Sequence, residues 1–375
     1  HAYFSQVVSA LRLPDPEPDP LQKRLRQKDV WKVVQKVKST EQLSMLAELQ
    51  DIVANAIQGY SLDKVLQTIE RERDSDKGIS ERPLRSVEYE RMVSAPEEQP
   101  GIVPDPDTEF AAYRIPASRI DLPKGIKGLV IVPELREIRV QVSFSRFDSV
   151  SANLQGEYDY DRFKVKPAVP TLPTGNEKWL PAAEIRGEGI FVELDINAVK
   201  TWEASPAVKE RSEQLLRGFE SDERQKGGVF PGVRFYLLHS LSHLLLTAIS
   251  LECGYSASSI RERIYCGQAD TEGADMAAIL LSTGTTGSEG TLGGLVEEGR
   301  RLRHHLREAW DLGRLCSNDP VCATHNPSSE SGDQHTEGAA CHGCLYVAEC
   351  SYERFNRYLD RALVVPTIGN PKELA

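Results

Sequence analysis

Five of the seven cysteines lie within 35 residues near the C-terminus. They form two pairs, Cys316 with Cys322 and Cys341 with Cys344, separated by 18 residues, and Cys350 follows the second pair. A tight turn between paired cysteines lets each pair supply two ligands, and four thiolates complete the tetrahedral shell that zinc prefers. A shell of this kind leaves no position open for water or substrate. The spacing therefore predicts a structural Zn²⁺ site.

Two other interpretations of these cysteines remain open, namely disulfides and free buried thiols. Disulfide frameworks are typical of small secreted chains, whereas this chain has 375 residues and no apolar, signal-like start. Cys350 is a fifth candidate for four ligand positions, either in place of Cys316 or Cys322 or as a packed thiol. Cys253 and Cys266 have apolar neighbours, and we predict that both are core residues.

A second metal hypothesis starts from two histidines in an apolar stretch, residues 233–253, that is predicted to be helical. His239 and His243 are four residues apart and therefore share one helix face. Together with Glu252 or a cysteine they could bind a metal, with Glu252 in the case of a hydrolase or nuclease. However, the sequence HSLSH lacks the glutamate of the H-E-x-x-H motif, which serves as the general base. The favoured interpretation is a packed histidine pair that hydrogen-bonds to neighbouring strands.

The glycine-rich stretch at residues 283–294 invites a comparison with phosphate-binding loops. It leads into a predicted helix, and a helix N-terminus behind glycines can hold a phosphate. The Lys-Ser/Thr pair of the P-loop is absent, and the spacing does not match the Rossmann motif. We therefore predict that these glycines serve close packing between a strand and a helix. With no complete catalytic motif, the chain is predicted not to be an enzyme.

The charge distribution limits the possible partners. A net charge of −11 argues against a protein that binds nucleic acid over its whole surface. Residues 21–38 nevertheless hold seven basic residues and one acidic residue. A solvated helix face is the favoured interpretation of this run, and a contact with a phosphate backbone is the alternative. Because no apolar run reaches 18 residues, we expect no transmembrane helix, no membrane partner and a cytoplasmic location.

The order of predicted elements indicates a fold that mixes helices and strands, with a helical N-terminal region followed by a sheet-and-helix domain that ends in the cysteine site. Alternating and β-branched residues predict strands at 2–13, 110–115, 129–132, 138–146 and 276–282, and a strand pair at 179–194 that turns at 186–189. Apolar periodicity and capping residues predict helices at 21–38, 41–57, 61–73, 79–94, 198–219, 233–253, 295–310 and 352–363. The predicted regions are an N-terminal strand and linker at 1–20, a helical region at 21–108 and a zinc-binding domain at 109–375.

A series of ordered motifs resembles a known family. These are RGEGIFVEL, HSLSHLLLTAISLECGYSASSIRERIY, EGTLGGLV, CSNDPVC, ACHGC and ERFNRYLDRALVVP, which lie between residues 186 and 366, and the resemblance covers residues 109–366. They resemble the zinc-binding domain of the DrmB family of the bacterial DISARM anti-phage system. A related domain lies at the C-terminus of MrfA-type DNA-repair helicases. Proteins of the DrmB family extend further at the N-terminus, and because this chain begins with His1 rather than Met we expect a preceding segment.

The resemblance implies a non-catalytic partner of a DrmA-like helicase that engages phage DNA within the complex. It also implies that the Zn²⁺ ligands are Cys316, Cys322, Cys341 and Cys344, whereas Cys350 departs from the family pattern. Besides the hydrolase or nuclease, a pure protein-interaction scaffold that never contacts DNA is a further alternative.

Overall fold

The computed structural model describes residues 3–13, 20–76, 83–99, 101, 109–146, 180–225, 228–267, 275–284, 294–328, 335–348 and 354–370. Helices and strands are mixed within these ranges, as the sequence predicts. In chain order the elements are β1 (Tyr3–Leu11), α1 (Pro20–Leu25), α2 (Lys28–Val34), α3 (Thr40–Leu49), α4 (Asp51–Ile57), α5 (Leu62–Asp76), α6 (Leu84–Val93), β2 (Ala111–Arg114), β3 (Ile126–Arg146), β4 (Ala182–Leu194), α7 (Ile196–Glu203), α8 (Pro206–Ser221), α9 (Val233–Cys253), β5 (Ile260–Gly267), β6 (Met276–Thr283), α10 (Gly294–Arg300) and α11 (Leu302–Arg314).

The chain divides into two units, one formed by residues 14–82 and the other by residues 1–13 together with 83–375. The smaller unit contains α1 to α5 around a core of Leu21, Leu25, Val34, Leu43, Val53, Val65 and Ile69. The helices predicted at 21–38 and 41–57 are each broken in two. At the second break Gln50 has extended backbone angles, and α3 therefore ends there. The division falls at 82/83, whereas the sequence suggested a change at 108/109, because α6 belongs to the larger unit.

The larger unit is built on an antiparallel sheet with the order β1-β3-β4-β6-β5, and β2 pairs with β3 beside this path. Successive side chains of a strand point to opposite faces. Along β4, Ile190 and Val192 therefore contribute to the core that includes α9. Phe191 lies on the other face, where its ring meets the edge of Tyr265 at a centroid distance of 5.5 Å. The sheet thus has apolar cores on both faces.

The strand pair predicted at 179–194 is wrong, since β4 is one strand that pairs with both β3 and β6. The glycines that suggested a turn instead allow the close approach of β6. A Cβ atom at Gly187 would lie 1.8 Å from the carbonyl oxygen of Thr283. The strands predicted at 129–132 and 138–146 are likewise one strand, with an irregularity between Val132 and Leu135.

The central helix α9 lies against β5, β6, α10 and α11. It is apolar on nearly all sides because neighbours cover it almost all round. It ends at Gly254, whose φ of 73° is the left-handed conformation that glycine adopts readily at a helix end. Within the described ranges, no helix is both long and apolar enough to cross a bilayer.

The final helix predicted at 352–363 is also wrong. In its described part, residues 354–360 are irregular and only Arg361–Leu363 form a short 3₁₀ turn. Phe355 and Tyr358 have φ values of 56° and 59°, which a helix does not allow. The Asn356 side chain forms two hydrogen bonds with the backbone of Val347. Side-chain hydrogen bonds to the backbone thus replace the helical pattern.

Candidate metal centre

Two turns bring four cysteines together at the end of α11. The turn after α11 carries Cys316 and Cys322, and a second turn carries Cys341 and Cys344. Their four sulfur atoms all lie within 4.8 Å of one another. The Sγ–Sγ distances are 3.4 Å for Cys316–Cys341, 3.8 Å for Cys322–Cys344 and 3.8 Å for Cys341–Cys344. The turns therefore form one compact cluster of thiols.

The cluster has the size that a tetrahedral zinc ion requires. With Zn–S bonds of about 2.3 Å, sulfur atoms at the corners of a tetrahedron are about 3.8 Å apart. All four residues are free thiols rather than disulfide partners. The cysteine cluster is therefore positioned to hold a metal ion, and its all-sulfur ligand set suits Zn²⁺. Cys350, the fifth candidate, lies outside the described residues.

The turns supply donors to the sulfur atoms. The backbone N–H of Asn318 donates to Cys316 Sγ at 3.4 Å, and that of Gly343 donates to Cys341 Sγ at 3.3 Å. Burial alone would raise the pKa of Cys341, but the Asn318 side chain and the backbone N–H of Gly343 lower it. Burial raises the pKa of Cys316 to about 11. A metal would therefore displace protons on binding.

A buried arginine lies next to the cysteine cluster. Arg361 is fully buried, donates to the carbonyl oxygen of Gly313 at 3.0 Å and pairs with Asp319 within the first cysteine turn. Although burial opposes the charge, the pairing with Asp319 and the nearby Cys344 raise the pKa of the guanidinium. A zinc ion with four thiolates carries a net charge of about −2. The positive charge of Arg361 partly balances it.

We expect Arg361→Met to weaken zinc binding without removing any sulfur ligand. Loss of a contact around the ligands typically lowers metal affinity by about 10- to 100-fold. Competition with a chromogenic chelator measures this change. Arg314→Met is the matched control, because Arg314 is exposed. Equal zinc affinity in the two variants would rule out the balancing role of Arg361.

The structure places a different acidic residue beside the two histidines from the one that the sequence suggested. His239 and His243 do lie on one face of α9, but their acidic neighbour is Glu262 of β5 rather than Glu252. His239 Nε2 lies 2.9 Å from Glu262 Oε1, and His243 Nε2 lies 3.6 Å from it. Glu252 instead pairs with His304 and Arg301 at the end of the helix. The predicted trio with Glu252 is therefore not assembled.

The buried surroundings of the two histidines and Glu262 shift the pKa values of His239 and Glu262. Burial lowers the pKa of His239 despite the attraction of Glu262. Burial also favours the neutral form of Glu262, but the two histidines outweigh this effect and lower the pKa of Glu262. His243 donates through its other ring nitrogen, Nδ1, to the carbonyl oxygen of Leu345 at 2.8 Å. Leu345 follows Cys344 directly, so α9 is hydrogen-bonded to the second cysteine turn.

Sequence reasoning missed Glu262 and Arg361. The signal for Glu262 was its position between Ile260 and Ile264, which share one face of β5 with it. A carboxylate between two buried isoleucines on that face indicates a buried charge with a partner. For Arg361 the sequence holds no comparable signal, because its partners Asp319 and Gly313 are more than 40 residues away.

Comparison with known proteins agrees with this geometry. The family model of the MrfA Zn-binding domain matches residues 241–345, which include all four clustered cysteines. The DISARM protein DrmB of Bacillus paralicheniformis is 35% identical over 303 residues, covering 79% of this chain and 50% of that protein. The chain is a relative of DrmB. It therefore contains a zinc-binding domain, and it spans about half the length of the curated DrmB that it matches.

This DrmB relative also has a distant likeness among solved structures, the helicase MrfA of the DUF1998 group bound to DNA. The identity is 13%, the match covers 60% of this chain and 24% of that chain, and the TM-score is 0.28. A TM-score of that size does not establish a common fold.

Proposed function

We propose that this chain is a non-catalytic, zinc-containing subunit that works with a DrmA-like helicase on phage DNA in bacterial defence, in the cytoplasm. The observation that carries this proposal is the 35% identity to the DISARM protein DrmB over 303 residues. In this proposal Cys316, Cys322, Cys341 and Cys344 are the ligands of one structural zinc ion. The zinc contributes folding energy rather than chemistry, since four protein ligands leave no open position.

The smaller unit supports a contact with DNA. In α2, Val30 and Val34 are buried, whereas Lys28 and Lys32 are exposed and one helical turn apart. Together with the exposed Lys23 of α1 they belong to the basic run at residues 21–38. Lysines at this spacing can follow a phosphate backbone as point charges. For the basic run at residues 21–38 we therefore propose the contact with a phosphate backbone rather than a helix face that is only solvated.

The first test is co-purification of the chain with a DrmA-like helicase expressed beside it. A stable complex that survives gel filtration supports the proposal. A helicase that elutes alone, in the presence and absence of DNA, contradicts the partnership.

DNA binding by this complex should depend steeply on salt, and the basic run should carry part of that dependence. We expect Lys28→Gln with Lys32→Gln to reduce the slope of log K against log salt by about two, because each lost phosphate contact removes about one unit. Fluorescence anisotropy with a duplex across a salt series measures the slope. The matched control is Lys124→Gln with Lys209→Gln, which removes the same charge from exposed positions elsewhere. Equal slopes in both double variants would exclude the basic run as the contact.

Two alternative functions have distinct outcomes in the same experiments. A pure scaffold predicts a complex with the helicase whose DNA crosslinks never reach this chain. A hydrolase or nuclease that uses His239 and His243 predicts metal-stimulated cleavage by the isolated chain, which His243→Ala abolishes. The burial of both histidines in α9 disfavours this second alternative, because a substrate must reach a catalytic group.

A further inference from the structure

Three buried side chains converge at a point distinct from the cysteine cluster. His239 and His243 lie one turn apart on α9, Glu262 faces them from β5, and all three side chains are fully buried. One ligand atom from each lies within 4.8 Å of the other two. The two imidazole rings are edge-on, with centroids 4.5 Å apart. We call these three residues the histidine–glutamate cluster.

The surrounding hydrogen bonds orient the lone pairs of this cluster inward. A carbonyl oxygen only accepts, so the contact of His243 Nδ1 with Leu345 places the ring proton on Nδ1. In a neutral imidazole the lone pair is then on Nε2, which faces Glu262 Oε1. The Ser242 hydroxyl donates to the other carboxylate oxygen, Oε2. Glu262 Oε1 faces the two histidines, at 2.9 Å from His239 Nε2 and 3.6 Å from His243 Nε2.

The contact between His239 and Glu262 is close but is not aligned as a hydrogen bond. The distance from Nε2 to Oε1 is 2.9 Å, the ring is not aligned for a hydrogen bond to the carboxylate, and the backbone of Tyr358 also lies close to the His239 ring. His243 Nε2 and Glu262 Oε1 face each other at 3.6 Å as two acceptor atoms in a buried site, which is costly unless a positive charge lies between them. The geometry thus indicates a positive centre among the three side chains.

We propose that His239, His243 and Glu262 bind a divalent transition-metal ion, separate from the ion at the cysteine cluster. Imidazole nitrogen with carboxylate oxygen is a ligand set that suits zinc and iron(II), unlike the all-sulfur set of the cysteines. The Nδ1 contact of His243 with a backbone carbonyl is the usual outer contact of a metal-bound histidine, because it fixes the tautomer that exposes Nε2. The bound ion holds α9 against β5, and its burial keeps it from substrate.

The test counts the metals of the purified full chain by elemental analysis after dialysis against trace metals. We expect about two equivalents per chain, because each cluster holds one ion. Glu262→Gln should retain about one equivalent, since the amide keeps the shape but loses the anionic ligand. The matched control is Glu252→Gln in the exposed cluster with His304, which should retain both equivalents. A single equivalent in wild type that Glu262→Gln leaves unchanged overturns the proposal, as does a loss confined to Glu252→Gln.

A second measurement needs no variant and therefore does not depend on the folding of Glu262→Gln. X-ray absorption of the zinc-loaded wild-type chain reports the average ligand shell. We expect sulfur together with nitrogen or oxygen in comparable amounts, because the two clusters differ in their donor atoms. A shell of sulfur alone overturns the proposal and leaves a proton as the positive centre between the histidines and Glu262.

Discussion

Replacing Cys341 by serine should remove the metal ion of the cysteine cluster and destabilise the larger unit by more than about 4 kcal/mol, since loss of a metal is among the few changes with effects of that size. Cys341 contacts the sulfur atoms of Cys316 and Cys344 and also accepts from Asn318, so it lies at the centre of the cysteine cluster. Elemental analysis and urea unfolding measure the two effects. In the unfolded chain the ligands are scattered, and for this reason metal binding energy becomes folding energy.

Two further cysteine variants are the controls for this prediction. Cys253→Ser should retain zinc, because Cys253 is half-buried outside the cysteine cluster. Cys350→Ser should also retain it if Cys350 is the spare thiol that the family pattern implies. Full zinc content in Cys341→Ser, or loss in Cys350→Ser, would require a different set of four ligands.

The second large effect is expected from Glu88→Gln, which should destabilise the larger unit by about 3–5 kcal/mol, because it removes the nearer of the two carboxylates that pair with a buried arginine, Arg263. Glu88 of α6 is fully buried and receives two hydrogen bonds from Arg263 of β5, at 2.7 and 2.6 Å. It also accepts from the backbone N–H of Leu11 at 2.9 Å and from the Tyr265 hydroxyl at 3.2 Å. This carboxylate therefore joins β1, α6 and β5.

The effect of Glu88→Gln should depend on pH in one direction. Burial would raise the pKa of Glu88, but the charge and hydrogen bonds of Arg263 outweigh it and hold the pKa below its ordinary value. A carboxyl whose pKa is lowered in the folded state stabilises above the pKa of the unfolded chain, about 4.3 for glutamate. That stabilisation is lost as the pH falls through the folded pKa. The difference between wild type and Glu88→Gln should therefore shrink in acid.

Urea unfolding, together with amide exchange in β5, measures the loss in Glu88→Gln. An exposed pair supplies the control, since Glu213→Gln removes a partner of Arg217 at 3.9 Å and should cost less than about 0.5 kcal/mol. The double variant Glu88→Leu with Arg263→Met should recover part of the stability, because both buried charges of the pair are then removed together. A loss below about 1 kcal/mol in Glu88→Gln would show that water or another group replaces the carboxylate.

The sequence predicted that helices exist more reliably than it predicted where they begin and end. The apolar pattern of α9 and its stop at Gly254 were predictable, because a helix that is covered all round needs no polar face and glycine ends it locally. Helix breaks at Gln50 and between α7 and α8 were not predicted, although Ser205 caps α8 and Pro206 begins it. Strand β5 was missed because the buried Glu262 and Arg263 interrupt its apolar pattern.

By itself the sequence determined the chemistry of the cysteine cluster. Paired cysteines within short turns are a local feature, and their number and type indicate an all-sulfur ligand set before any fold is known. Tertiary structure alone decided which distant groups surround them, because contacts such as Arg361 with Asp319 and His243 with Leu345 join residues far apart in the chain. It also replaced Glu252 by Glu262 beside the histidines, since only the packing of α9 on β5 brings that carboxylate within reach.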